Sequence, residues 1–421
     1  MKIKFAYLFI AVSAFVLMGC GGADSLDQPA KEEVTGGEVV VDFDAQTMRN
    51  VLVSKEAIPA DYNKPVYGYK AYKIPYETTD EEGNRIEVSG LMVVPTGVPE
   101  AMKQIGFSLV SDSHGTIFAN AEAPTVIAET TNSPDGAPVI LTALSGFVTL
   151  QADYIGFGDS LGHYHPYLLK SSSAATTVDF INAARAFAAN NGIPLNGQLF
   201  VTGYSEGGHV AMAALQTLEN EGEPVAFAAP MAGPYMLDRM GQGVLASNAL
   251  PVPSFIADVA YAFAVRYGVN VDTLVKEPYA SALPGLFDGS KARPEIDAQL
   301  THVTTDLFTA DAINRLTSLD NTYWFTQTLQ LNSTAYWGPQ TPTRLVQCMG
   351  DDVIPFAMST GTASVMSDNF GAADIGVIPV EVAITGDVNT SIRLGHADCA
   401  TPAYGVVSKI FADVRKATIG Y

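Results

Sequence analysis

The segment from Leu199 to Leu218 constrains this chain more than any other. Leu199-Phe200-Val201-Thr202 is a short apolar run of the kind that fills a buried central strand, and residues from about Gly208 to Leu218 read as a helix. Between them stands only Gly203-Tyr204-Ser205-Glu206-Gly207. A strand that turns into a helix so abruptly needs glycine on both sides of the central residue, where a Cβ would meet neighbouring backbone. Such a turn leaves the Ser205 hydroxyl exposed at the edge of a sheet, with the unpaired first amides of the helix beside it. An exposed serine next to free N–H groups is the layout of a nucleophile with an oxyanion site. The Glu206 amide is one expected donor.

The surrounding pattern supplies the sheet. Order is expected from near Glu38, with Val39-Val40-Val41. Val66 to Thr78 and Ile86 to Val94 alternate about the turn cluster Asp80-Glu81-Glu82-Gly83-Asn84, which reads as a hairpin. Short apolar runs at Ile105–Val110, Phe147–Leu150, Val225–Ala229, Arg344–Gln347 and Ile378–Thr385 read as further strands. Ala174–Ala189 carries Val178, Ile181, Ala184 and Phe187 at helical spacing, and a last helix is expected from about Tyr404 to Val414. Antiparallel strands followed by strand–helix alternation predict an α/β fold, a mostly parallel central sheet flanked by helices. From about Tyr235 to Gln340 strand signals nearly vanish, so residues 235–340 are expected to form a helical cap inserted before the acid-bearing strand.

In the α/β-hydrolase fold an acid and then a histidine follow the serine in chain order. Of histidines 114, 163, 165, 209, 302 and 396, only His396 lies beyond the last expected strands, in a loop Leu394-Gly395-His396-Ala397-Asp398. The acid belongs in Gly350-Asp351-Asp352-Val353-Ile354-Pro355, with Asp351 preferred and Asp352 in reserve. His114 is placed to orient a loop near the serine, and His209 to pack. His163-x-His165 has ligand spacing without a supporting cluster, so no metal site is assigned.

These motifs together resemble the secretory-lipase family of α/β hydrolases and its bacterial relatives. Ser113-His114-Gly115-Thr116, Asp153-Tyr154-Ile155-Gly156-Phe157-Gly158-Asp159-Ser160, the elbow with Gly208, and Asp351 four residues before Pro355 carry the resemblance, with Ile354 where the family pattern has Val. It spans roughly residues 90–400 and favours Asp351 over Asp352. It also implies a second oxyanion donor in the loop at Gly115-Thr116, the Thr116 amide. The implied chemistry is ester hydrolysis through an acyl-enzyme with no cofactor, on a small-molecule or lipid ester. A serine peptidase or acyltransferase with the same triad is the alternative, and a non-catalytic binding protein would have lost one of the three residues. Phe255, Tyr261, Phe263, Tyr267 and Trp337 are candidate walls of an acyl pocket or ordinary packing of the cap.

The N-terminus speaks of export. Lys2 and Lys4 precede the uncharged stretch Phe5–Met18, too short to span a bilayer, and Leu17-Met18-Gly19-Cys20-Gly21 resembles the lipobox of bacterial lipoproteins. Residues 1–20 are therefore expected to be a lipoprotein signal peptide, with Cys20 lipidated, and residues 21–37 a flexible tether. By that resemblance Gly21 after the Cys fits an outer-membrane lipoprotein of a Gram-negative bacterium, in contact with the membrane through the anchor. Cys348 lies three residues before Asp351 and Cys399 three after His396, so they are either a disulfide tying the two loops or two buried thiols. A formal net charge of −21 argues against nucleic-acid partners. Oligomeric state is not encoded in any motif.

Overall fold

The structure, a computed structural model, describes residues 36–54, 58–131 and 136–421; the expected signal peptide, Cys20 and nearly all of the expected tether lie outside them. Nine strands form one sheet in the order β1-β2-β3-β5-β4-β6-β7-β8-β9. They are β1 (Glu38–Phe43), β2 (Gly68–Thr79), β3 (Arg85–Thr96), β4 (Phe107–Ser113), β5 (Val148–Ala152), β6 (Leu195–Tyr204), β7 (Phe227–Met231), β8 (Thr343–Gln347) and β9 (Ile375–Pro379). Pairing is antiparallel from β1 to β5 and parallel from β5 onward. The expected hairpin is β2–β3, in register from Gly68↔Thr96 to Thr79↔Arg85. Asp80 pins its turn by accepting the amides of Glu82 and Asn84.

Helices α1 (Ala45–Ser54), α2 (Glu100–Ile105), α3 (Pro124–Thr131), α4 (Lys170–Asn190) and α5 (Glu206–Asn220) precede β7. Side-chain alternation on β6 explains the layering. Leu199 and Val201 join Ile181, Phe187, Val210 and Leu215 of α4 and α5 on one face of the sheet. Phe200 points the other way, into a cluster with Val110, Val346, Val407 and Phe411. Each large side chain removed from water there contributes about 2 kcal/mol.

Between β7 and β8 every named element is helical: α6 (Leu237–Ala246), α7 (Pro253–Arg266), α8 (Tyr279–Leu286), α9 (Arg293–Asp297), α10 (Thr304–Leu307), α11 (Ala310–Thr317) and α12 (Trp324–Asn332). This insertion has its own apolar cluster, with Phe263, Leu283, Phe308 and Phe325 inside, and it also takes in Phe118 and Tyr167–Leu169 from the sheet domain. The chain ends with α13 (Phe356–Phe370), α14 (Val380–Thr385) and α15 (His396–Ile419).

At three places a helix stands where the sequence reading expects a strand or a loop. Ile105 closes α2, and β4 begins only at Phe107, after Gly106 at φ +86°. Ile378–Thr385 is not one strand: β9 stops at Pro379 and Val380–Thr385 is helix α14. Pro379 stands at its N-cap and Gly386 closes it in the left-handed region, two signals that outweigh the β-branched composition. Finally, α15 starts at His396 and runs through Pro402, although proline inside a helix removes a donor. Burial of Cys399, Ala403, Val407 and Phe411 along one face of the same helix offsets that loss.

Candidate active site

The glycines of the elbow are required by contact. A Cβ on Gly203 would collide with the Gly207 carbonyl, and one on Gly207 with the Ser113 carbonyl. Ser205 itself is held at φ +60°, ψ −120°, a strained backbone that the sheet and α5 over-determine. The Ser205 amide donates to Met231 of the neighbouring β7 at 3.0 Å. Glu206, the first residue of α5, has an amide with no acceptor inside the helix.

Ser205, His396 and Asp351 lie in one hydrogen-bonded chain. His396 Nε2 is 2.9 Å from Ser205 Oγ, and His396 Nδ1 is 2.8 Å from Asp351 Oδ2. An ionised carboxylate only accepts, so Nδ1 carries the proton and the Nε2 lone pair faces the serine hydroxyl. Asp351 is buried, and its Oδ1 accepts the amides of Val353 and Ile354 at 3.0 and 2.8 Å. Asp352 serves differently. It accepts the His396 amide, which holds its carboxyl below the usual carboxylate range. His396 is not in a loop, as its sequence neighbours imply, but opens α15.

Two residues to which the sequence reading gives no role hold the Asp351 and His396 segments together. Glu381 is fully buried on α14, and its carboxylate accepts the amides of Met349 (2.9 Å), Gly350 (3.3 Å) and Leu394 (3.0 Å). A single carboxylate within an apolar run was the available signal. Tyr204 donates its hydroxyl to the His396 carbonyl at 2.6 Å. Cys348 and Cys399 are joined by a disulfide across the same two segments.

The loop Ser113–Thr116 lies on the elbow. A Cβ on Gly115 would sit 3.1 Å from the Tyr204 carbonyl and 3.6 Å from Ser205 Cβ, so a side chain there would press the loop a few tenths of an ångström off the elbow. Among the described residues the Thr116 amide has no hydrogen-bond partner. His114 bonds the Gly115 carbonyl through Nδ1 at 2.8 Å and stacks on Tyr154 at 4.0 Å; burial keeps its pKa below the ordinary value. Asp153 beneath accepts from Ser89 and from the amide and hydroxyl of Thr125, while burial lifts its pKa to about 6. His209 is buried with Nε2 on the Asn332 carbonyl. His163 is exposed and His165 meets Glu206, so the two do not converge. Among the described residues no group of three or more His, Cys, Asp or Glu is placed to hold a metal ion, and no helix is long and apolar enough to cross a membrane.

A cavity of about 70 Å³ adjoins Ser205, between Tyr167, Glu206, Pro234 and the insertion residues Leu237, Gly241 and Leu329. A second cavity of about 600 Å³ shares its wall of Met240, Val244, Phe255, Ile256 and Val353. Of the five aromatics named from sequence, only Phe255 lines these spaces. Phe263 is buried inside the insertion, Tyr261 stacks on Phe287, the Tyr267 hydroxyl accepts from Asn332, and Trp337 packs against the sheet's core. Helical spacing marks an apolar face without telling a cavity from a core.

No protein-family model and no curated protein sequence matches the chain. Solved structures do. A candidate hydrolase from Legionella pneumophila superposes with a TM-score of 0.78 at 23% identity, over 91% of this chain and 98% of that one. The rice cell wall degrading esterase LipA from Xanthomonas oryzae gives 0.75 at 22%, over 93% and 98%. Candida antarctica lipase A gives 0.58 at 14%, over 87% and 78%. The fold is that of the α/β hydrolases. In an α/β hydrolase the serine stands on the turn after a central strand, and acid and base follow it in chain order. Here β6, the segment after β8 and the start of α15 supply those positions.

Proposed function

We propose that this chain is a serine hydrolase that cleaves carboxylic esters. The observation that carries the reading is the continuous Ser205–His396–Asp351 chain opening on an apolar cavity. His396 Nε2 takes the Ser205 proton as Oγ attacks the ester carbonyl carbon. The carbonyl oxygen becomes an oxyanion facing the amides of Glu206 and of the Gly115-Thr116 loop. Collapse breaks the bond to the alcohol oxygen, which leaves with the proton from His396. Water, deprotonated by the same Nε2, then releases the carboxylic acid and restores Ser205. Asp351 keeps the imidazole in the required tautomer and stabilises its cationic form.

Residues 235–340 act in this reading as a cap that shapes the substrate cavity. We further propose export as a lipoprotein, with Cys20 lipidated and the tether carrying the enzyme at the outer membrane; loss of lipid labelling in Cys20→Ala is the expected result, and full labelling of that variant would remove the proposal.

The decisive experiment is hydrolysis of p-nitrophenyl esters of graded acyl length, beside Ser205→Ala. The variant is expected to lose about 10⁴-fold or more in kcat. Equal inactivity of both proteins on every ester would reject ester hydrolysis and leave amide cleavage or acyl transfer to test.

A further inference from the structure

The two amides assigned to the oxyanion belong to segments 90 residues apart in sequence, the loop after β4 and the start of α5. An oxyanion site works only if its donors are fixed before charge develops, so something must set the distance between these segments. The loop carrying His165, Pro166 and Tyr167 touches both. His165 Nε2 lies 3.0 Å from Glu206 Oε1, and Tyr167 Oη lies 2.9 Å from Thr116 Oγ1. Resting on the ester-hydrolase reading, we propose that His165-Pro166-Tyr167 is a clamp that positions the oxyanion site, with His165 gripping the Glu206 side and Tyr167 the Thr116 side. Both are positioning residues; neither touches the reacting atoms.

The clamp is rigid for stated reasons. The Tyr167 amide donates to the His165 carbonyl at 2.8 Å, closing the tripeptide on itself around a proline of fixed φ. Pro166 and Tyr167 are buried, and the His165 backbone packs so tightly on Gly156 that a Cβ there would stand 2.9 Å from the His165 nitrogen. His165 is anchored from behind, its Nδ1 2.9 Å from the Ile155 carbonyl. A carbonyl only accepts, so Nδ1 bears a proton, and the Nε2–Glu206 bond must hold another. Burial works against a charged His165, but the Glu206 carboxylate beside it keeps its pKa above the ordinary value. The bond to Glu206 is therefore charge-assisted, the stronger kind. Among the described residues Glu206 Oε2 is buried with no partner, so its carboxylate depends on His165.

Core packing alone would make substitutions here lower the melting temperature without singling out kcat. The test compares kcat, KM, melting temperature and affinity for a boronic-acid analogue of the tetrahedral intermediate. Tyr167→Phe keeps the ring and removes the hydroxyl; Thr116→Val removes the same bond from the other side. Each is expected to lower kcat and analogue affinity about tenfold with KM within about twofold, less than outright loss of an oxyanion donor, and the double variant is expected to be no worse than either. His165→Ala is expected to cost more, and His165→Gln, which can still donate to Glu206, to recover most of it. If wild type turns over esters while Tyr167→Phe and Thr116→Val both keep kcat and analogue affinity within twofold, the clamp is overturned and ester hydrolysis stands. Loss confined to KM or melting temperature overturns it equally. No turnover and no boronate binding by wild type would reject both readings.

Discussion

Asp352 accepts the backbone amide of His396 at 2.8 Å, one residue along the chain from the carboxylate that holds the same histidine's ring. Two adjacent aspartates thus fix one residue at two points, and they divide the work. Asp352 pairs a donor that the start of α15 would otherwise leave unsatisfied, while Asp351 governs the imidazole.

This division predicts unequal variants. Asp351→Asn is expected to lose about 10⁴-fold in kcat by favouring the wrong tautomer. Asp352→Ala is expected to cost about 1 kcal/mol of stability, as a lost helix cap does, and to leave kcat within about tenfold. Melting curves and ester kinetics on both variants decide it; equal kinetic losses would show the split to be wrong.

The disulfide makes a second prediction. Cys348 and Cys399 are 51 residues apart, and closing a loop of that length constrains the unfolded chain by on the order of 4 kcal/mol. The Cys348→Ala/Cys399→Ala double variant is expected to unfold at distinctly lower denaturant. An unchanged midpoint with an unchanged slope would mean that the bond adds nothing to stability.

A third prediction concerns alkaline pH. Burial of Asp258 on α7, opposed by His165 and reinforced by Glu206, pushes its pKa up to about 8. The unfolded chain ionises this group near the ordinary carboxylate value, so between there and about pH 8 the folded state binds more protons and stability falls as pH rises. Asp112 and Asp153, raised to about 6, act in the same sense at lower pH. His209, lowered to about 4 by burial, acts oppositely below its ordinary value, and His165 acts above its own in the sense of Asp258. All four remain in Asp258→Asn, and because Asp258 also helps to raise the His165 pKa, the difference between the proteins reads Asp258 together with its share of the His165 shift, both of the same sign. The variant is expected to lose less melting temperature than wild type between pH 6.5 and 8.5 (roughly the span above the other carboxylates); parallel curves would refute it.

Substrate length supplies a fourth. Gly243 lines only the larger cavity, and a Cβ there meets nothing within 4 Å. Gly243→Phe is expected to fold at least as well, gaining helix propensity of about 0.5 kcal/mol or more. It is expected to slow long-chain esters about tenfold while sparing acetate, as a lost hydrophobic subsite would. A uniform effect at all chain lengths would place the acyl chain elsewhere.

What the sequence disclosed was which side chains meet, where spacing ties them together. Ser205, Asp351 and His396 were legible because an elbow and a chain order leave few alternatives, and the structure brings the three together. The strands of the central sheet were legible because alternation and apolar runs are local. Val380–Thr385 was not, since its β-branched residues are overruled by Pro379, Gly386 and the buried demands of Glu381. His165 and Tyr167 were hidden for another reason. Their partners, Glu206 and Thr116, are distant in sequence, and nothing in the local pattern distinguishes a clamp from a polar loop.

The apolar cluster of the helical insertion includes Phe118 and Tyr167–Leu169, which belong to the sheet domain. The helical insertion is therefore not an exchangeable module. A lineage that replaced it wholesale would expose those side chains and unsettle the loop that carries Tyr167. Divergence is freer at positions such as Gly243, where the wall of the large cavity faces open space. A side chain added on that wall meets open space, whereas a change on the face against Tyr167 disturbs a closed apolar cluster.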